Sequence, residues 1–298
     1  MRLEELELFR RAAALGNLSA AGRELGLSPA TASARLQSLE RSLGASLFVR
    51  TTRRITLTEE GEHFLAHAEK ALDALEMGRA SIRGADAAPA GTLRASIPGP
   101  FGRRHVLPYL TEFLDANPEV ELDLHISDEI VNIVEGGYEL AIRIGPLNDS
   151  GLLASKLAPN RRIVVASPSY LERNDAPSVP EDLGQHVCLL HGDTKVWRFH
   201  RAGEERAVRV SGRLHTNSGS VTRDAAIHGL GVALKGVWDV GEDLQKGRLV
   251  HLLPDWELGD VGAIWALRPA SKFASPRARA FVDFLRSKYG ATPYWEIE

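Results

Sequence analysis

The chain has 298 residues, 44% hydrophobic and 25% charged, an ordinary globular composition with length for two or three compact units. No apolar run approaches the roughly 18 residues that a membrane-spanning helix needs. The charged start MRLEELELFRRAAA leads into no signal-peptide core, so no membrane partner and a cytoplasmic location are expected. The net charge of −3 hides an asymmetry. Met1 to Leu57 holds nine Arg against five Glu, the whole surplus arising after Ala34, whereas Thr58 to Ala90 holds three basic against seven acidic residues. A basic block confined to one end is the electrostatic footprint of DNA contact. The single Cys188 excludes an intrachain disulfide and leaves a redox sensor without a resolving partner in the chain. A buried structural thiol is expected there.

In chain order, Leu3 to Leu15 reads as a helix burying Leu6, Phe9 and Ala13. A second helix follows with Ser19 as N-cap and Ala20, Ala21 and Leu25 on one face, ended by Gly26 in a left-handed position with Leu27 packing across the turn. Ser28-Pro29 restarts the chain as N-cap and first helical residue, where a proline's missing N–H costs nothing. This third helix turns Ala32, Leu36 and Leu39 inward and Thr31, Ser33 and Arg35 outward. Two short helices around a Gly-containing turn are the helix-turn-helix shape, whose second helix enters a major groove. Two β-prone pieces, Leu47 to Val49 and Ile55 to Leu57, then flank the tip Arg50-Thr51-Thr52-Arg53-Arg54, a wing placed for phosphates or a minor groove.

The run Phe9…Ala20-Ala21…Leu25…Ser28…Ser33…Leu39-Glu40…Leu43-Gly44…Leu47-Phe48-Arg50…Leu57-Thr58…Gly61 resembles the winged helix-turn-helix of LysR-type transcriptional regulators. Three residues depart from the family's habit: Asn17 in place of Ser, Ala32 in place of Val and Ala34 in place of Arg, with Arg35 one position on. The resemblance implies a double-stranded DNA partner. The candidate contacts are Ser28, Pro29, Thr31, Ser33 and Arg35 on the recognition helix and Arg50, Arg53 and Arg54 in the wing.

Thr58 opens a long helix with Glu59, Glu60 and Glu62 in its first turn, where the helix dipole favours negative charge. Leu65, Ala68, Leu72, Leu75, Arg79 and Ile82 then step by three and four, an a/d seam. In the family such a helix pairs protomers, which makes Leu65, Leu72, Leu75 and Ile82 dimerisation candidates for a homodimer or homotetramer; packing of the same face on its own domain is the alternative. His63 and His67 lie four apart but lack the intervening carboxylate of a zinc-protease helix, so a solvated face and no metal are expected. GADAAPAG, Gly84 to Gly91, is the linker.

From Thr92 the texture changes to alternating strands and helices. Expected strands are Leu93 to Ile97, Val120 to Ile126, Leu140 to Ile144, Ile163 to Ala166 and Val232 to Leu234. Expected helices are one from Val106 to before Asn117-Pro118, one from an Asp128 cap through Val134, then Ser218 to His228, Val237 to Gln245, and a last one opened by Ser275-Pro276. Repeated β-α-β units imply an α/β domain with a largely parallel sheet.

GTLRASIPGPFGR, the stretch from Asp128 to Gly145, SPSYL at Ser167 to Leu171, and AAIHGLGVAL resemble the effector-binding domain of the same regulators. That resemblance implies a fold like a two-lobed periplasmic solute-binding protein. The expected organisation is a DNA-binding domain at 1–57, a linker helix and hinge at 58–90, and an effector domain at 91–298, with lobe one at 91–163 plus 267–289 and lobe two at 164–266. Ligands of open α/β lobes sit beyond the carboxyl ends of strands, which selects Ser96, Pro98, Gly99, Phe101, Arg103, Asp128, Arg143 and Gly145 in lobe one and Asn217, Ser218 and Lys235 in lobe two. Arg103, Arg143 and Lys235 together suit a carboxylate and hence a small organic acid, although Arg143 has Asp128 and Glu139 as alternative partners and Lys235 has solvent. No nucleophile elbow, Walker loop or Cys/His metal spacing is present, and Gly229-Leu230-Gly231 follows a helix rather than a strand. The expectation is a regulator without enzymatic activity or cofactor, answering to a small-molecule effector.

Overall fold

The computed structural model of the chain describes residues 1–50, 55–83, 88–129, 131–147, 151–259, 261–270 and 275–296. They form two compact units, Met1–Ala87 and Ala88–Glu298. Among the described residues no helix is long and apolar enough to cross a membrane.

In the first unit, helix Leu3–Leu15 ends at Gly16 with φ +58°, and helix Leu18–Glu24 begins on Asn17, whose side chain accepts from Ala20 N. Asn17 is therefore the N-cap, not Ser19: an Asx side chain at the first extended residue reaches the orphan N–H three positions on. Gly26 takes φ +68°, and Leu27 N donates 2.8 Å to Gly22 O, closing the turn as expected. The inward face of this helix is Ala21 and Gly22, while Leu25 is exposed. Glycine is required at 22 because a Cβ there would lie 2.9 Å from Ala32 Cβ on the next helix. That helix, Pro29–Leu43, is capped by Ser28 and buries Ala32, Leu36 and Leu39 completely. Strands Phe48–Arg50 and Ile55–Leu57 pair antiparallel, Phe48 opposite Leu57, a register one residue later than expected for the first strand. Phe9 packs at 5.4 Å from Phe48 and 5.6 Å from Phe64, joining first helix, hairpin and long helix in one core.

The long helix runs Glu59–Arg83. Thr58 Oγ1 accepts from Gly61 N and donates to Ser46 O, and a Cβ on Gly61 would overlap Leu47 O, so the helix start is pressed onto the hairpin. This decides the seam. Ala68 and Leu72 are buried in the unit's own core and Leu65 packs against it, whereas Leu75 is exposed. Leu65 and Leu72 are thus intradomain core residues, because the first four turns of the helix have the helix-turn-helix to lean on. Ile82's side chain lies outside the described residues.

The second unit contains two five-stranded mixed sheets. In the first, the order is Val120–Ile126, Gly91–Ile97, Leu140–Gly145, Ala263–Pro269, Leu152–Pro159; the first three strands are parallel and Ala263–Pro269 runs antiparallel to both neighbours. In the second, the order is His215–Thr216, Cys188–His191, Val232–Gly236, Arg162–Ala166, Val250–Leu252, again parallel then antiparallel. The sheets are therefore half antiparallel, not largely parallel, because the chain crosses between lobes twice and each crossing brings a reversed strand. The crossings also move the expected lobe limits. Arg162–Ala166 lies wholly in the second sheet and Ala263–Pro269 wholly in the first, so boundaries drawn after Ile163 and Ala266 cut through strands. A three-stranded antiparallel sheet, Glu204–Arg209, Val196–Arg201 and Glu257–Leu258, covers the second lobe.

The helix expected from Asp128 to Val134 is absent among the described residues, which make turns at Ile133–Gly137 with the Asn132 side chain accepting from Val134 N and Glu135 N. An Asx acceptor two and three residues ahead of its partners competes with helical pairing. The stretch 99–116 is helical but irregular. Gly99–Phe101 is α, Gly102–Val106 is π, Leu107–Tyr109 is 3-10 and Leu110–Ala116 is α, with Pro108 interrupting the ladder. Ser275-Pro276 caps the last helix, Pro276–Tyr289, whose Arg277 is buried and pairs at 2.6 Å with Glu139. Cys188 is fully buried, and burial pushes its thiol up to about 12.

Leu72 and Leu75, three residues apart, separate the two roles of the long helix. Leu72→Ala should cost the first unit about 2–5 kcal/mol as a core truncation, and Leu75→Glu almost nothing. No tryptophan lies in this unit, so amide hydrogen exchange of helices Leu3–Leu15 and Pro29–Leu43 is the measurement.

Candidate functional site

The first unit presents the outward face of helix Pro29–Leu43. Thr31 is exposed, and Ser33 and Arg35 are partly so. Ser28 Oγ accepts from Thr31 N at 3.2 Å and shares a 2.8 Å hydrogen bond with Thr31 Oγ1, so two of the expected DNA contacts are tied to the helix start. Pro29 is exposed at its first position. Arg50 ends the first strand of the wing, and Arg53 and Arg54 lie outside the described residues.

In the second unit a cleft of about 370 Å³ opens between the two sheets. Among the expected effector residues, Pro98, Asp128, Arg143, Gly145, Asn217 and Lys235 line it. Ser96, Gly99, Phe101, Arg103 and Ser218 do not, each for a visible reason. Ser96 is fully buried and stands behind Arg143, accepting from both guanidinium nitrogens at 3.3 and 3.4 Å. Gly99 N donates to Asp128 Oδ1, and Ser218 Oγ donates to Asp128 Oδ2 at 3.4 Å, so both serve to hold that carboxylate across the cleft. Phe101 is buried in an aromatic cluster with His105, Trp238, Tyr289 and Trp295. Arg103 points to solvent on the irregular helix.

The three cations expected to act together do not. Lys235 is buried, its ammonium paired with Asp239 (2.7 Å) and donating to Gly219 O (2.6 Å) and Thr222 Oγ1 (3.3 Å). Its place on strand Val232–Gly236 puts it four residues before an acid at the start of the next helix, so it stands in the cleft wall already paired within the protein. Arg143 pairs with neither alternative. Asp128 is held as described, Glu139 belongs to Arg277, and Arg143 donates instead to Ser96 and to Ile142 O (2.8 Å). Burial pulls its pKa below the ordinary arginine value.

Sequence reasoning missed Arg162, Asn160 and Trp238, all on the cleft wall. Arg162 opens a strand rather than ending one, and that strand runs antiparallel, so its amino end comes to the cleft. Burial alone brings its pKa down to about 10. Among the described residues neither Arg143 nor Arg162 has a carboxylate within ion-pair distance. Asn160 sits on one crossing between the lobes, and its Nδ2 donates at 2.6 Å to Val261 O on the other.

The back of the cleft is fixed by helix Val237–Gln245. Arg104 of lobe one donates to Asp239 O (3.0 Å) and lies 3.7 Å from its carboxylate. His105 donates from Nε2 to Trp238 O (2.8 Å), which leaves Nδ1 to accept from the Tyr294 hydroxyl (2.7 Å). Burial, the largest cause, holds His105 neutral with its pKa down at about 4.

Comparison with known proteins places these features in context. Residues 3–62 match the bacterial regulatory helix-turn-helix model of the lysR family, and residues 86–290 match the LysR substrate binding domain. The chain is 34% identical over 291 residues to the HTH-type transcriptional regulator DmlR of Escherichia coli K12, covering 96% of this chain and 94% of that protein. It is also 34% identical over 299 residues to PtxR of Pseudomonas aeruginosa, covering 99% and 95%. Among solved structures it is similar to CrgA, a LysR-type transcriptional regulator from Neisseria meningitidis, at 29% identity and a TM-score of 0.60 over 96% of this chain and 98% of that one.

His105 allows a direct check of the lobe junction. A histidine held near 4 against an unfolded value near 6.5 binds fewer protons folded than unfolded between those values, so its contribution to stability is lost as pH falls from 6.5 to 4. The loss should reach about 3 kcal/mol at pH 4, and in His105→Gln the slope of unfolding free energy across that window should flatten, as read by denaturant titration at each pH.

Proposed function

The chain belongs to the LysR-type family of transcriptional regulators, and from that premise we propose that it reads an operator with Thr31, Ser33 and Arg35 and is switched by a small organic acid held between the lobes of its second unit. The observation that carries the effector reading is the pair of guanidinia, Arg143 and Arg162, facing one cleft without a carboxylate partner among the described residues. Two partly desolvated cations on one cleft favour an anion there, and guanidinium suits a carboxylate's paired oxygens. Ser96 serves this reading by aiming Arg143; Asp128, Asn217 and Gly145 bound the cleft, and Lys235 supports its wall.

On the DNA side, Ser28 and Pro29 set the start of the recognition helix, and Arg50, Arg53 and Arg54 supply attraction to phosphates or the minor groove without reading sequence. The protein acts in the cytoplasm as a homo-oligomer, with exposed Leu75 and the turn bearing Ile82 as the helix surface for a second copy.

Two experiments test these roles. In thermal shift and calorimetry on the full chain, a panel of mono- and dicarboxylates should stabilise the protein, and Arg162→Gln should weaken their binding by about 1.5–3 kcal/mol, the worth of a hydrogen bond to a charged group; stabilisation by neutral compounds alone defeats the reading. In operator binding across a salt series, Arg35→Ala should lose about 1–3 kcal/mol of preference for operator over random DNA, while Arg53→Ala should weaken both and flatten the salt slope.

A further inference from the structure

Thr31, Ser33 and Arg35 border the outward face of helix Pro29–Leu43 and do not fill it. Each residue turns an α-helix by about 100°, so Ser33 lies at one border of the outward arc, and Thr31 and Arg35 lie at the other, each about 160° round from it. The buried stripe of Ala32, Leu36 and Leu39 closes the circle from behind. Between the borders lie Gln37, Ala30, Arg41, Ala34 and Ser38. The first four are exposed, whereas Ser38 is partly buried with its hydroxyl bonded to Glu5 on the first helix. Arg41 leans back along its own helix, Nε donating to Gln37 O at 3.2 Å, and Ala30 and Ala34 carry only methyls. The middle of the face thus holds one long neutral side chain, and the Gln37 amide makes no hydrogen bond among the described residues. Ala30, Ser33, Ala34 and Gln37 also stand at i, i+3, i+4 and i+7, the spacing with which a homeodomain's groove helix reads bases.

A glutamine amide presents a donor and an acceptor side by side. In the major groove only adenine answers with an acceptor beside a donor, N7 and N6. Guanine shows two acceptors, cytosine a donor, and thymine an acceptor beside a methyl. We propose that Gln37 reads a base, its Nε2 donating to N7 and its Oε1 accepting from N6 of an adenine, while the short side chains of Ala30, Ser33 and Ala34 let the helix approach the base edges. This rests on the operator reading above and adds to it a residue and the base it selects.

The experiment selects binding sites from randomised duplex DNA with the full chain, with Gln37→Ala and with Gln37→Arg. Both substitutions place a good helix former at an exposed helix position, so the fold is kept. The site selected by the unaltered chain should contain an adenine that Gln37→Ala no longer prefers, while the other selected positions persist. On that site Gln37→Ala should raise the dissociation constant about tenfold, with the salt slope unchanged because no charge is lost. Gln37→Arg should exchange the adenine for guanine, whose O6 and N7 both accept from a guanidinium; a purely structural role would not trade one base for another. An unchanged selected site in either variant, or an equal loss of affinity for selected and random DNA, overturns the base contact and leaves the operator reading standing. Selection of no site by the unaltered chain overturns both.

Discussion

The buried pair of Lys235 and Asp239 is the interaction on which the second unit is built. An ammonium and a carboxylate taken from water this completely are tolerated only when each meets the other. Lys235 ends a strand, Asp239 starts the following helix, and their 2.7 Å contact fixes the angle between the two. Gly219 O and Thr222 Oγ1 add a third element, the helix Gly219–Ile227. Because Asp239 also takes Arg104 through its backbone carbonyl, the helix is shared with lobe one, and the apolar core beneath it runs without interruption from Leu93 and Ile142 in one sheet to Val165 and Ala233 in the other. Two lobes described separately by their sheets thus stand on one foundation, and the cleft is what remains open above it.

That arrangement explains why charge in the cleft had to be reassigned from one cation to another. Reading along the sequence, Lys235 stands out as a cation at the carboxyl end of a strand. In space it is consumed by an acid four residues later. Arg162 has nothing in its own neighbourhood of sequence to mark it, and only the reversal of its strand brings it opposite Arg143.

The parts legible in the sequence were those with local causes. Ser28-Pro29 and Ser275-Pro276 marked helix starts correctly, Gly26 its turn, and the alternation of Val120 to Ile126 a strand of the same bounds, since caps, φ > 0 and period-two patterning are set within a few residues. What stayed illegible depends on distant partners. Strand Leu152–Pro159 carries its apolar residues without clear alternation and is a strand because Ala263–Pro269 lies beside it. Asp128 looks like a cap and is a strut, held by Gly99 and Ser218. Leu65 and Leu72 carry a perfect seam, yet periodicity states only that a face is covered, not by whom. In the cleft the sequence reached Asp128 by its place after a strand and Arg143 by its charge near a strand's end, and could not reach Asn160 or Trp238, which stand on a crossing and at a helix start.

The tie from Asn160 to Val261 has a mechanical consequence. The lobes are joined by two chain crossings 101 residues apart in sequence, and one 2.6 Å hydrogen bond pins those crossings together. Two strands fastened side by side act as the pin of a door: sliding one lobe past the other would shear the bond, whereas swinging about the line of the crossings leaves it intact. Asn160 therefore stands at the crossings, where displacement is smallest, and Arg143 lies close to them, two residues from Gly145, which pairs with Ala263. A swing of one lobe against the other would thus leave the residues beside the crossings nearly in place and move most those farthest from them.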